Sequence, residues 1–135
     1  MSAYTTIKTR IASAEHLKRT LLDMGFGEVE LHETKQPLTG WRNDAREQSA
    51  EIIIRREHVG PTSNDIGFAR DEEGCFVALV SEFDRARYNE AWLQSVVQGY
   101  AYHVIQDKLA EQDFSVVEQT TDADRTIRIT LRRMT

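Results

Sequence analysis

Tyr100, His103 and Asp107 stand at i, i+3 and i+7, so a helix through them carries a phenol, an imidazole and a carboxylate along one stripe. A carboxylate beside an imidazole fixes its tautomer and strengthens it as a base, which is the equipment of general acid–base chemistry. The competing reading is a polar seam along the helix edge, where Tyr and His side chains satisfy nearby sheet-edge groups. Cys75 opens an apolar run with Phe76 and Val77 and has no base or cation beside it in sequence, so it reads as a small buried hydrophobe rather than a thiolate nucleophile. His16, His32 and His58 have no second ligand at a zinc-binding spacing. The seven glycines are scattered and form no phosphate-cradling loop. No catalytic residue, metal or cofactor is therefore assigned from the sequence.

Contact chemistry is better represented. The stretch 35–48 (KQPLTGWRNDAREQ) places Trp41 among Lys35, Arg42 and Arg46, with Leu38 close by. Tryptophan and arginine are the residues that most often anchor protein interfaces. The same mixture can stack on a single-stranded base while a guanidinium meets phosphate. Alternatively, Trp41 folds back as a lid over the core. Thirteen of the 17 basic residues are arginine, and Arg125, Arg128, Arg132 and Arg133 fall in the last eleven residues. Alternation there sets Ile127, Ile129 and Leu131 on one face and Thr126, Arg128, Thr130 and Arg132 on the other. The binding candidates are Trp41, Arg42, Arg46, Arg128 and Arg132; the bland reading of the arginine face is a solvated surface paired to local glutamates.

The elements that must hold these residues follow from pattern. Alternation over 3–11 gives a strand, and Ser13 caps a helix whose Leu17, Leu21 and Met24 form one stripe, ended by Gly25. Phe26, Val29 and Leu31 lead into a second strand. Pro37 and Gly40 punctuate 35–48, which is either a long loop or an irregular β-arm. Ala50 to Arg56 resumes as a strand. Residues 66–70 and 75–81 form a hairpin around Asp71-Glu72-Glu73-Gly74. A long helix runs from a cap at Asn89 to about Gln112, with Leu93, Val97, Tyr100 and Val104 in line and Trp92 against the sheet. A closing hairpin, 114–120 and 126–133, follows. Gly99 costs about 1 kcal/mol in mid-helix relative to alanine, which a close-packed neighbour explains.

Leu21 to Glu30 (LLDMGFGEVE) lines up with Leu109 to Glu118 (LAEQDFSVVE), and each is followed by an isoleucine-rich strand ending in paired arginines. Two β-α-β-β units account for this order, and chance similarity between two helix-to-strand junctions accounts for it nearly as well. The expected fold is α+β, a two-layer sandwich of a mostly antiparallel six- or seven-stranded sheet with both helices on one face. At 135 residues the chain fits one domain, 1–135, with 35–48 as an insertion. A net charge of −5 and pI near 5.4 argue against a general polyanion binder. One cysteine, no apolar N-terminal core and no apolar run of membrane length point to the cytoplasm.

The segments MSAYTTIKTRI, SAEHLKRTLLDMGF, NDIGFAR and GYAYHVIQDKLAEQDFSVVEQ, with the TIRITLRR ending, together resemble the hypothetical chloroplast reading frame thirty-five (Ycf) family, also known as domain of unknown function twelve fifty-seven. The likeness spans almost the whole chain. Ala3 stands where many members have histidine, Asp113 where a helix-ending glycine is common, and Ala123-Asp124 where an aspartate-glycine turn is common. The middle, 35–64, is longer and more divergent. The resemblance implies a small cytoplasmic or plastid accessory protein, encoded near an AAA-type ATPase or another small uncharacterised protein, and so a protein partner, with an AAA-type ATPase as one candidate.

Three functions follow as expectations. The first is a non-catalytic accessory or adaptor protein that uses the Trp41 segment and the arginine face, with homo-oligomer formation open. The second is a nucleic-acid-binding module using the arginine-rich C-terminal strand. The third is an enzyme using Tyr100, His103 and Asp107.

Overall fold

In a computed structural model, the backbone of residues 3–112, 114–121 and 127–133 is described, together with the side chains of residues 3–112 and of Arg128. In chain order the elements are β1 (Tyr4–Lys8), α1 (Ala14–Asp23), β2 (Glu30–Thr39), β3 (Ala45–Ile54), a short α2 (Arg56–Val59), β4 (Ile66–Arg70), β5 (Phe76–Ser81), a 3-10 turn (Asp84–Ala86), α3 (Glu90–Glu111), β6 (Phe114–Thr121) and β7 (Ile127–Arg133). The order β-α-β-β thus occurs twice, as β1-α1-β2-β3 and as β5-α3-β6-β7.

The helices start and stop where side-chain chemistry allows. The Asn89 side chain accepts from the Trp92 amide at 3.0 Å and starts α3. Gly25, at φ +102°, takes the left-handed turn that lets the chain leave α1. In the β4–β5 turn, Asp71 Oδ1 accepts from the Glu73 and Cys75 amides, and Gly74 supplies the positive φ. Cys75 itself is half-buried rather than buried.

Five strands form one antiparallel sheet in the order β1-β5-β4-β3-β2, while β6 and β7 pair with each other, Phe114 opposite Arg133 through Thr121 opposite Ile127. The fold is α+β, as the pattern predicts, but the sheet has five strands where six or seven were expected. Alternation within a closing hairpin is the same whether its outer edge continues a sheet or not.

Alternate residues of the central strands serve opposite faces. Ile52, Ile54, Ile66, Phe68, Phe76, Ala78 and Val80 meet Leu17 and Leu21 of α1 and Leu93 and Val96 of α3, so both helices lie on one face. The helices approach closely: a Cβ on Gly99 would stand 2.6 Å from Thr20 Cγ2. Close approach explains a mid-helix glycine.

The second face is not wet. Ile53, Ala69 and Leu79 lie on it with Leu38 and Ala50, all buried. Residues 35–48 belong to a β2–β3 arm that bends back over this face. Its register slips twice, between Leu31 and Gln36 and between Pro37 and Thr39, which curls the pair. Pro37 is tolerated because β2 is an edge strand. Leu38 comes down on Gly67, where a Cβ would meet Leu38 Cδ2 and Ala50 Cβ at 2.9 Å each. Of the isolated apolar pair, Leu38 is the lid.

Leu38→Ala opens a cavity under the arm and is expected to cost about 2–5 kcal/mol. Leu22→Ala, at an exposed site of α1, should stay within about 0.5 kcal/mol. Urea unfolding midpoints of the two variants check the contrast.

Candidate functional site: the tip of the arm and its buried base

The arm is fastened where it crosses the sheet. Asp65, wholly buried just before β4, accepts from the Thr39 amide (2.7 Å) and Arg55 Nη1 (2.8 Å) through Oδ2, and from the Arg56 amide (2.7 Å) through Oδ1. Its backbone is committed as well: its amide donates to Thr39 O, and its carbonyl accepts from Tyr4 Oη at 2.6 Å. One residue therefore ties the arm, the end of β3, the start of α2 and β1. A carboxylate buried this fully needs hydrogen bonds in place of the water it has lost, and these donors supply them.

Arg55 is the counter-charge. Its Nε and Nη2 form a fork onto Glu30 Oε2 and Oε1 at 2.8 and 2.9 Å, while Nη1 reaches Asp65. The Glu30 carboxyl is held below the usual carboxylate range, first by the Arg55 hydrogen bond and next, among the lowering causes, by His32. Burial, and then the Asp65 charge, raises the Tyr4 phenol.

A second buried chain sets the tip. Asn64 Oδ1 accepts from the Trp41 amide at 3.0 Å, Asn64 Nδ2 donates to Ser81 Oγ at 3.0 Å, and both the Asn64 amide and Ser81 Oγ donate to Asp84 Oδ2. The turn is closed by Gly40 and Asp44, whose backbones bond at 2.8 Å, with Asn43 at φ +62°. On this frame the Trp41 side chain stands 44% exposed, and the Arg42 guanidinium lies 4.8 Å from its ring centroid. No carboxylate among the described residues pairs with Arg42.

The other sequence-derived candidates separate. Arg46 is only 11% exposed, lies over the Tyr4 ring at 5.5 Å and meets Asp44 at 3.7 Å, so it is turned away from the tip. Arg128 is exposed and sits opposite Thr120 in the β6–β7 ladder. Arg132 pairs with Ser115 through its backbone, and its side chain lies outside the described residues, as does Arg125. The face that the C-terminal arginines present therefore also lies outside them. Trp92 packs against Phe26, Phe68 and Tyr88 at the helix–sheet boundary.

The stripe of α3 does not act as one group. His103 Nε2 meets Asp23 of α1 at 2.6 Å, while the Tyr100 hydroxyl accepts from the Ala12 and Ser13 amides. Asp107 serves His16 and Arg19 of α1. Each member of the stripe faces a different partner across the helix pair, so the spacing makes a seam.

Sequence reasoning missed Asp65, Asn64, Glu30 and Asp84, because their partners are distant in the chain. A signal was present nonetheless: Asn64-Asp65 stands directly before the apolar run Ile66–Ala69, and Arg55-Arg56 directly after the run Ile52–Ile54. A polar cleft of about 450 Å³ flanks this base, lined by Gln36, Pro37, Asn43, Arg55, Arg56 and Glu57 among others. Among the described residues no group of three or more His, Cys, Asp or Glu converges to hold a metal. No described helix is long and apolar enough to cross a membrane.

Fold and site together define a helix-backed antiparallel sheet with a clamped β-arm that carries an exposed Trp-Arg pair. The chain belongs to the family described as protein of unknown function DUF1257, whose model matches residues 20–130. It is similar to the uncharacterized protein ycf35 of Cyanophora paradoxa, at 28% identity over 134 residues and 98% of each chain. It is also similar to the uncharacterized protein ycf35 of Pyropia yezoensis, at 26% identity over 136 residues and again 98% of each. No solved structure matches it.

The Glu30 shift has a definite sign. Its carboxyl is ionised to lower pH in the fold than in the unfolded chain, so its contribution is complete above the unfolded value of about 4.3. That contribution is lost as pH falls through the lower folded value. Wild type should therefore exceed Glu30→Gln in stability at pH 7, with the gap closing toward pH 3. Urea titrations of both proteins at the two pH values check this; a gap that stays constant removes the ion pair as its source.

Proposed function

We propose that the chain is an accessory or adaptor protein that binds another protein through the tip of the β2–β3 arm, with Trp41 as the anchor and Arg42 beside it. The observation that carries this reading is an exposed indole and a guanidinium with no carboxylate partner among the described residues, on a backbone that buried side chains hold in place. An exposed tryptophan on a flexible loop loses conformational freedom when it binds. Here the Asn64 and Asp65 hydrogen bonds have already removed most of that freedom from the backbone. Leu38 supports the reading as well, since it takes the core-covering role and leaves Trp41 without one.

Nucleic-acid binding was expected of the arginine-rich C-terminal strand, whose side chains other than Arg128 lie outside the described residues; at the arm tip it has less support. Phosphate recognition needs several clustered cations, whereas here Arg46 is occupied by Tyr4 and Asp44 and the whole chain carries −5. An enzyme built on Tyr100, His103 and Asp107 is disfavoured by their separate partners. Homo-oligomer formation through the tip is the remaining variant of the main reading. The AAA-type ATPase expected from the family resemblance is the first partner to test.

The test is affinity purification from the native host with mass spectrometry, using wild type and Trp41→Ala in parallel. A specific protein is expected with wild type, and Trp41→Ala should weaken its binding by at least about 2 kcal/mol, roughly 30-fold in Kd. Arg46→Ala should leave that affinity close to wild type. Equal retrieval by wild type and Trp41→Ala contradicts the reading.

A further inference from the structure

Away from the arm, Ser13, His16 and Asp107 form a hydrogen-bonded line across the junction of α1 and α3. Ser13 Oγ lies 2.5 Å from His16 Nδ1, and His16 Nε2 lies 2.7 Å from Asp107 Oδ2. Arg19 Nη1 donates to the same carboxylate oxygen at 3.3 Å. An ionised carboxylate only accepts, so His16 Nε2 carries hydrogen toward Asp107, and the neutral ring then offers Nδ1 as an acceptor. In that tautomer Ser13 Oγ–H is the donor to Nδ1. The Asp107 carboxyl is held below the usual carboxylate range, chiefly by the hydrogen bond from His16, in keeping with this assignment.

Ser13 is also the N-cap of α1, with its oxygen 3.4 Å from the His16 amide. That contact is long, and it uses a lone pair rather than the hydroxyl hydrogen. Capping and donation to Nδ1 are therefore compatible. Beside them, the Tyr100 hydroxyl oxygen accepts from the amides of both Ala12 and Ser13, at 3.1 and 3.0 Å. Its own hydrogen has no acceptor among the described residues and is available to an oxygen arriving next to Ser13. His16 is 20% and Asp107 46% exposed, so the line is reachable from solvent.

We propose that Ser13 is a base-activated nucleophile and that the α1–α3 junction is an acyl-transfer centre for small activated esters. In this reaction Ser13 Oγ bonds to the ester carbonyl carbon, and its proton passes to His16 Nδ1. The carbonyl electron pair moves onto oxygen, facing the Tyr100 hydroxyl. Collapse breaks the bond to the leaving oxygen, which takes the proton from His16. Water then repeats the sequence through His16, releasing the acid and restoring Ser13. Ser13, His16 and Tyr100 touch reacting atoms; Asp107 is a positioning residue that holds the tautomer. The junction is open, which suits an ester on a small or surface-presented group rather than one that needs a deep pocket.

The test uses the full chain, a fluorophosphonate probe with peptide mass spectrometry, and release of p-nitrophenol from p-nitrophenyl acetate. Wild type is expected to carry the adduct on Ser13. Ser13→Asn keeps a strong helix cap and removes the nucleophile, so it should fold normally by circular dichroism and form no adduct at position 13. His16→Gln should slow adduct formation by about 100-fold. Asp107→Asn should slow it at an unchanged Tm, a combination that a purely structural role would not give. Absence of a Ser13 adduct in wild type overturns the proposal, as does a His16→Gln rate equal to wild type. An unchanged rate in Asp107→Asn overturns the part given to the carboxylate.

Discussion

A single buried carboxylate holds this molecule's working parts in register. Asp65 has no contact with solvent, and its side chain bonds to the amides of Thr39 and Arg56 and to the Arg55 guanidinium. Without those partners its charge would be prohibitively costly inside a protein. With them, it forces three segments from different parts of the chain to meet. The arm can then fold back far enough for Leu38 to seal the second face of the sheet, and Trp41 is left outside with its backbone fixed. Exposure of the indole and burial of the leucine follow from the same clamp.

The elements with strong local signals were legible in the sequence. Asn89 as a cap marks the start of α3, and the Asp71–Gly74 turn marks the β4–β5 hairpin; of the Leu93–Val97–Tyr100–Val104 line only Leu93 is buried, with Val96 beside it and Val97 exposed. What escaped was whatever depends on long-range pairing. Nothing in the alternation of residues 114–133 says that β6 and β7 pair only with each other, because a hairpin satisfies its inner ladder either way. The arm escaped because its two register slips break the period of two on which strand reading rests. Arg46 looked like a contact residue by composition, yet the Tyr4 ring, across the fold, takes it inward. The spacing on α3 left two readings, an acid–base group or a polar seam, and the three side chains meet separate partners, as in a seam. Asp107 does orient an imidazole, but that of His16, 91 positions away.

The two places where chemistry faces outward are physically distinct. The arm tip presents one apolar ring, one guanidinium and a preformed backbone. The α1–α3 junction carries the hydrogen-bonded line Ser13–His16–Asp107, beside the close helix approach that Gly99 and Thr20 allow. They share no residue, so each can be altered without touching the other.

Amide hydrogen exchange on Asp65→Asn tests the clamp most directly. Loss of the carboxylate should selectively lower protection at Thr39, Trp41 and Arg56, while Phe68 and Ala78 in the β4–β5 ladder stay slow to exchange. Uniform loss across the chain, or protection at Thr39 and Trp41 equal to wild type, would contradict the idea that this one side chain presents the Trp41 tip.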